Sequence, residues 1–183
     1  EAGGASGIDV TFNAGDGDDY FLSGRGNDTF NAGSAGETVG DTVSFANAIA
    51  GVTVDLAAGT ATGDGSDTLT DVENVIGSAQ ADTITGSSEA NTLDGGNGAD
   101  TISGGGGADT LHGDAGNDTL VGGTGSDQML GGEVAAEQIV WRDEAGGAGL
   151  ARPAIDEDDR QPGVFEVGRE LVHDTVDGVR DDQ

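Results

Sequence analysis

Residues 77–130 divide into six consecutive nine-residue segments, and this period constrains the fold more than any other feature of the chain. The last four are GGNGADTIS (95–103), GGGGADTLH (104–112), GDAGNDTLV (113–121) and GGTGSDQML (122–130). The two before them, GSAQADTIT (77–85) and GSSEANTLD (86–94), keep the phase but lose glycines. Glycine stands where the backbone turns with positive φ, and aspartate where a carboxylate reaches into that turn. One large apolar residue stands where a short strand points inward: Ile84, Leu93, Ile102, Leu111, Leu120 and Met129. Six turn residues and three strand residues make half a coil. Two such halves close a coil, and stacked coils pair as parallel strands about 4.8 Å apart.

The same phase runs through the N-terminus, where Phe12, Phe21, Phe30 and Val39 are spaced by nine. AGDGDDYFL (14–22) and SGRGNDTFN (23–31) are clear copies, whereas AGSAGETVG (32–40) carries Glu37 at the aspartate place. Residues 41–61 break the pattern; DTVSF and GVTVDLAAG alternate apolar and polar residues and predict two longer strands. A nonapeptide returns at TGDGSDTLT (62–70), followed by six extra residues, DVENVI (71–76). The reading divides the chain into a repeat block at 1–40, a β insert with one nonapeptide at 41–76, the main roll at 77–132, and an acidic tail at 133–183. Val164 to Val179 in that tail gives a weak amphipathic-helix pattern, opposed by Gly168 and Gly178. The tail is read as a cap or as disordered.

Neighbouring loops in such a stack lie one full coil apart in sequence. One edge therefore carries Asp82, Asp100 and Asp118, and the other Asn91, Asp109 and Asp127. Asp19, Asp28 and Asp67 hold the same place in the isolated repeats. Of the ten nonapeptides starting at 14, 23, 32, 62, 77, 86, 95, 104, 113 and 122, eight carry aspartate there, so a merely solvated acidic surface does not explain the pattern. A carboxylate has two oxygens and can face the loops above and below. The turn glycines (Gly96, Gly98, Gly105, Gly107, Gly116, Gly123 and Gly125) aim backbone carbonyls into the same gap. Such hard, flexible oxygen ligands suit calcium; magnesium demands a tighter octahedron, and zinc wants nitrogen or sulfur. The best-supplied sites lie between the loops of Asp100 and Asp118 and between those of Asp109 and Asp127. Weaker ones join Asp82 to Asp100, and Asn91 to Asp109 with less ligand charge. The coil-distant partners of Asp19 and Asp28 are Glu37 and Ala46, so a metal there needs other ligands.

Composition agrees with this reading. The chain has 36 glycines, 4% aromatics, no cysteine and a net charge of −29. So few aromatics cannot build a broad core. No disulfide can staple the chain, and bound metal would serve instead. The negative charge disfavours nucleic acid and anionic membranes and opposes compaction. There is no apolar run long enough for a transmembrane helix. No HExxH, G-x-S-x-G, P-loop or EF-hand loop occurs, and His112 and His173 stand alone. Beginning at Glu1, the sequence reads as a fragment or processed product.

The spelling G-G-x-G-x-D-x-(large apolar)-x in residues 95–130 resembles the RTX, or haemolysin-type, calcium-binding repeat family. The resemblance implies an all-β fold, a right-handed parallel β-roll or β-solenoid with an irregular C-terminal tail, holding several Ca²⁺ ions. It also implies export by type I secretion machinery, with the repeats unfolded inside the cell and folding outside. The expected function is a non-enzymatic, calcium-binding structural module of a secreted extracellular protein, with self-association or a cell surface as further partners. Two alternatives stay open: an accessory domain of a secreted enzyme whose catalytic part is absent, and a calcium-dependent surface-layer or adhesin repeat.

Overall fold

The computed structural model describes residues 7–132, together with the backbone of four outlying strands, Ala2–Gly3, Gln138–Arg142, Ala148–Ala151 and Val164–Glu166. Its regular structure is all strand, arranged as two long sheets facing each other across a narrow core. The first sheet stacks Tyr20–Leu22, Thr42–Ser44, Asn74–Ile76, Thr92–Asp94, Thr110–His112 and Gln128–Leu130, all parallel. The second contains Thr11–Asn13, Thr29–Asn31, Ser66–Thr70, Thr53–Asp55, Thr83–Thr85, Thr101–Gly106 and Thr119–Thr124. This is the parallel β-roll that the period implies.

Most strands are three residues long, as the nonapeptide implies, although Thr101–Gly106 and Thr119–Thr124 run on into the glycine-rich turns. Only the middle side chain points inward, and these side chains stack in rows. Val43, Val75, Leu93, Leu111 and Met129 are in register in one sheet, and Ile84, Ile102 and Leu120 in the other. All are at most 1% exposed. At the N-terminal end Phe12, Phe21 and Phe30 fill the core as a stacked trio with centroids 5.2–5.9 Å apart. Offset stacking adds to the area that each ring buries.

The insert does not make two longer strands. Thr42–Ser44 takes an ordinary place in the first sheet, beside Tyr20–Leu22. Thr53–Asp55 pairs antiparallel with Thr60–Thr62, which pairs antiparallel with Ser66–Thr70. Two reversals restore the original direction, so Ser66–Thr70 lies parallel beside Thr29–Asn31 while Thr53–Asp55 lies parallel beside Thr83–Thr85. Both sheets therefore run unbroken through the insert. Asp55 Oδ1 accepts the Ala58 N–H at 2.8 Å in the tight turn, and Gly59 follows with φ of 68°. Alternation alone did not reveal the turn, because Leu56-Ala57-Ala58 between the strands is apolar too.

Two further expectations fail. Val39, in phase with the three phenylalanines, is 74% exposed, and Val43 takes the inward place. Loop residues Thr38, Val39 and Gly40 are drawn out of the strand to donate their N–H groups to Asp18 Oδ1 at 2.8–3.1 Å. In the tail, Val164–Glu166 is a strand, antiparallel to Gln128–Leu130, where the sequence suggested the start of a helix. The backbone of this segment pairs with the open edge of the sheet, which a helix could not do. The rest of that helix reading, and His173, lie outside the described residues.

Phe30→Ala is expected to destabilise the calcium-saturated protein by about 3–5 kcal/mol. Val39→Ala should stay within about 0.5 kcal/mol. Urea unfolding followed by circular dichroism measures both, and equal effects would contradict the shift of the inward place to Val43.

Candidate metal centre

A rim residue stands just before the inward-facing triplet of most strands, and these residues form two columns, with Asp67 lying inside Ser66–Thr70. Along the first sheet the column is Asp19, Asp41, Glu73, Asn91, Asp109 and Asp127. Along the second it includes Asp28, Asp67, Asp82, Asp100 and Asp118. The parallel register brings each within reach of the main chain one coil away. Asp100 Oδ1 accepts the Asp82 N–H at 2.8 Å, and Asp118 Oδ1 the Asp100 N–H at 2.9 Å. In the other column Asp109 Oδ1 accepts from Asn91 at 2.9 Å and Asp127 Oδ1 from Asp109 at 3.0 Å. Asp82, Asp100, Asp109, Asp118 and Asp127 are all at most 6% exposed.

That ladder uses one oxygen of each carboxylate. The other oxygen, Oδ2, is buried without a hydrogen-bond partner in Asp100, Asp109 and Asp118. A buried carboxylate left half satisfied is costly, and a cation is the simplest partner for it. Arg25–Asp64, at 3.8 Å, is the one ion pair among the described residues, so arginine does not supply the missing charge. Burial raises the pKa of Asp100 to about 6, helped by the charges of Asp82 and Asp118 and opposed by the Asp82 N–H bond. Asp109 is likewise pushed to about 6 by burial, and Asp118 shifts upward for the same reason.

Glycine makes the gap. A Cβ on Gly113 would stand 2.7 Å from Asp118 Oδ2, and one on Gly98 would stand 2.6 Å from the Gln80 carbonyl oxygen. The carbonyls of Gly98, Gly105 and Gly107 likewise face Gly116, Gly123 and Gly125 of the next coil so closely that no side chain fits. Positive φ at Gly96, Gly98, Gly105, Gly107, Gly116, Gly123 and Gly125 is the conformation that aims these groups. Buried free carboxylate oxygens and carbonyls converging between coils fit calcium, which takes six to eight oxygen ligands at 2.3–2.6 Å.

Among the other residues expected at metal sites, Asp82, Asn91 and Asp28 already meet protein donors. Ser78 donates its N–H to Asp82 Oδ2 at 2.6 Å and its hydroxyl to Asp82 Oδ1 at 2.8 Å. Ser87 donates its N–H to Asn91 Oδ1 at 2.7 Å, and the Asn91 amide bonds the Glu73 carbonyl at 2.8 Å. Asp28 Oδ2 accepts from Gly24 N–H at 3.2 Å and Ser23 Oγ at 3.4 Å. These groups are satisfied by the protein itself. Asp28 and Asp19 have partners other than those the phase suggested. Asp28 N–H bonds Asp67 Oδ1 across 39 residues, and Asp19 N–H bonds Asp41 Oδ1 across 22. The hairpin and the loop at 38–40 displaced the expected Ala46 and Glu37. Asp67 itself is buried and pushed to about 6 by that burial, with the Asp28 charge adding to it. Sequence phase missed Asp41 and Glu73, although Asp41-Thr42-Val43-Ser44 repeats the local spelling of Asp100-Thr101-Ile102-Ser103.

Residues 4–34, 76–111 and 103–134 match the family model of the RTX calcium-binding nonapeptide repeat, four copies to a model. Across this span the chain belongs to the RTX repeat family, and the repeats it carries are calcium-binding. No curated protein matches the chain. No helix among the described residues is long and apolar enough to cross a membrane.

The raised pKa values set a pH dependence. A carboxylate with a raised folded-state pKa contributes stability that is complete below the ordinary carboxylate range and is lost as pH rises through the folded value. In EGTA, the β signal is therefore expected to be stronger at pH 5 than at pH 7.5. With calcium present the order reverses in affinity: protons on Asp100 and Asp109 compete with the ion, so the calcium midpoint should rise between pH 7 and pH 5. A midpoint independent of pH would contradict these carboxylates as ligands.

Proposed function

We propose that this chain is a structural module of a type I-secreted extracellular protein, unfolded where calcium is scarce and folded by calcium outside the cell. The observation that carries this reading is the trio of buried, unpartnered carboxylate oxygens on Asp100, Asp109 and Asp118. Ions between the loops of Asp100 and Asp118, and between those of Asp109 and Asp127, give these oxygens a partner. Asp82, Asn91 and Asp28 already have protein partners, which supports weaker binding or none at their loops. Each nonapeptide buries one large apolar side chain, a thin core for nine ordered residues, and a bound ion adds stability by linkage. Because both sheets are continuous through the insert, residues 7–132 act as one cooperative unit in this reading.

Calcium titration followed by far-ultraviolet circular dichroism tests the proposal. The expected result is little β structure in EGTA and a cooperative rise at millimolar calcium. Asp109→Asn with Asp118→Asn should move the midpoint upward on the order of tenfold, since affinity follows ligand charge. An unchanged β spectrum in EGTA would sink calcium-driven folding.

A further inference from the structure

Three acidic residues outside the glycine-rich loops meet where the N-terminal repeats join the insert. Glu37, Asp41 and Glu73 each bring one carboxylate oxygen within 4.8 Å of the others. Asp41 is fully buried, and its Oδ2 has no hydrogen-bond partner; Glu37 Oε1 is buried and unpartnered as well. We propose that Glu37, Asp41 and Glu73 form a separate calcium site that joins the N-terminal coils to the rest of the roll.

The surroundings hold these groups in position before any ion arrives. Asp41 Oδ1 accepts the Asp19 N–H at 2.6 Å, and Glu73 Oε2 accepts the Asp41 N–H at 2.8 Å, so each carboxylate has one oxygen tied to the ladder. The loop between Glu37 and Asp41 is clamped on both sides. Asp18 Oδ1 gathers the N–H groups of Thr38, Val39 and Gly40, and Asn74 Nδ2 donates to the carbonyls of Val39 and Gly40 at 2.9 and 3.1 Å. Gly40, at φ 82°, is what lets Glu73 approach, since a Cβ there would stand 2.8 Å from the Glu73 Cβ. The loop also explains why three acids converge. Glu37 holds the aspartate place of its repeat, but residues 38–40 push Asp41 into the column instead, and Glu73 takes that place one coil on.

Three acidic groups packed this closely, with no ion pair to any of them among the described residues, call for a cation or for shared protons. Calcium accepts carboxylate oxygens in flexible geometry, which suits three acids placed by separate elements, whereas magnesium demands a near-ideal octahedron and keeps most of its waters. No nitrogen or sulfur donor belongs to the cluster, which disfavours zinc.

Counting bound calcium per chain by equilibrium dialysis at saturating calcium tests this site separately from the repeat loops. The variant Glu37→Gln with Glu73→Gln keeps an acceptor for the Asp41 N–H and removes two charges. It is expected to bind one ion fewer than the unaltered chain while keeping its calcium-saturated β spectrum. Glu37→Gln alone, at a carboxylate with an unpartnered oxygen, should weaken one ion on the order of tenfold; it serves as the test if the double variant does not fold. The same ion count and affinity in the folded variants as in the unaltered chain overturns the proposal in favour of shared protons. Failure of the loop reading would show elsewhere, as an Asp109→Asn, Asp118→Asn variant that binds every ion.

Discussion

A carboxylate oxygen bonded to a main-chain N–H one coil away is the contact on which the roll depends. It recurs up both edges, from Asp28 to Val10 near one end and from Asp127 to Asp109 near the other. Each bond satisfies a backbone donor at a rim where the strand has not yet begun and no ladder bond is available. It also places a negative charge in a buried, glycine-lined gap. The same bond that fixes the stacking therefore creates the demand for a cation. In this chain the carboxylates that fix the stacking are also the candidate calcium ligands.

That coupling explains why the repeats are not equivalent. In the repeats at 95–121 the second oxygens of Asp100, Asp109 and Asp118 have no hydrogen-bond partner. At Ser78 and Ser87 the serine N–H and hydroxyl close on the side chain four residues later. Serine in place of glycine there adds internal hydrogen bonds, so the coil at 77–94 is held together by protein groups.

Much of this was open to reading before the fold was known. The inward rows, the parallel stacking and the two edges of Asp82, Asp100 and Asp118 and of Asp109 and Asp127 all follow from a period of nine that runs without a break. The reading failed where the period broke. Val39 keeps the phase of the phenylalanines yet is exposed, Asp19 and Asp28 meet Asp41 and Asp67 in place of the loops that the phase implies, and Asp41 and Glu73 stand outside the phase altogether. In each case a loop or hairpin changed the number of residues per coil, and register in a stack is set by cumulative length.

Composition and period together dictate an all-strand roll, its thin apolar core, and its columns of oxygen ligands suited to calcium, because these properties repeat locally and need only nearest coils to be realised. Which carboxylate oxygens are free, and which acids meet across the insert, was decided by the assembled stack. Glu37, Asp41 and Glu73 are up to 36 residues apart in the chain and share no motif. They converge because two antiparallel reversals and a clamped loop return the chain to the same rim, an outcome that depends on pairing between sheets and on no single segment.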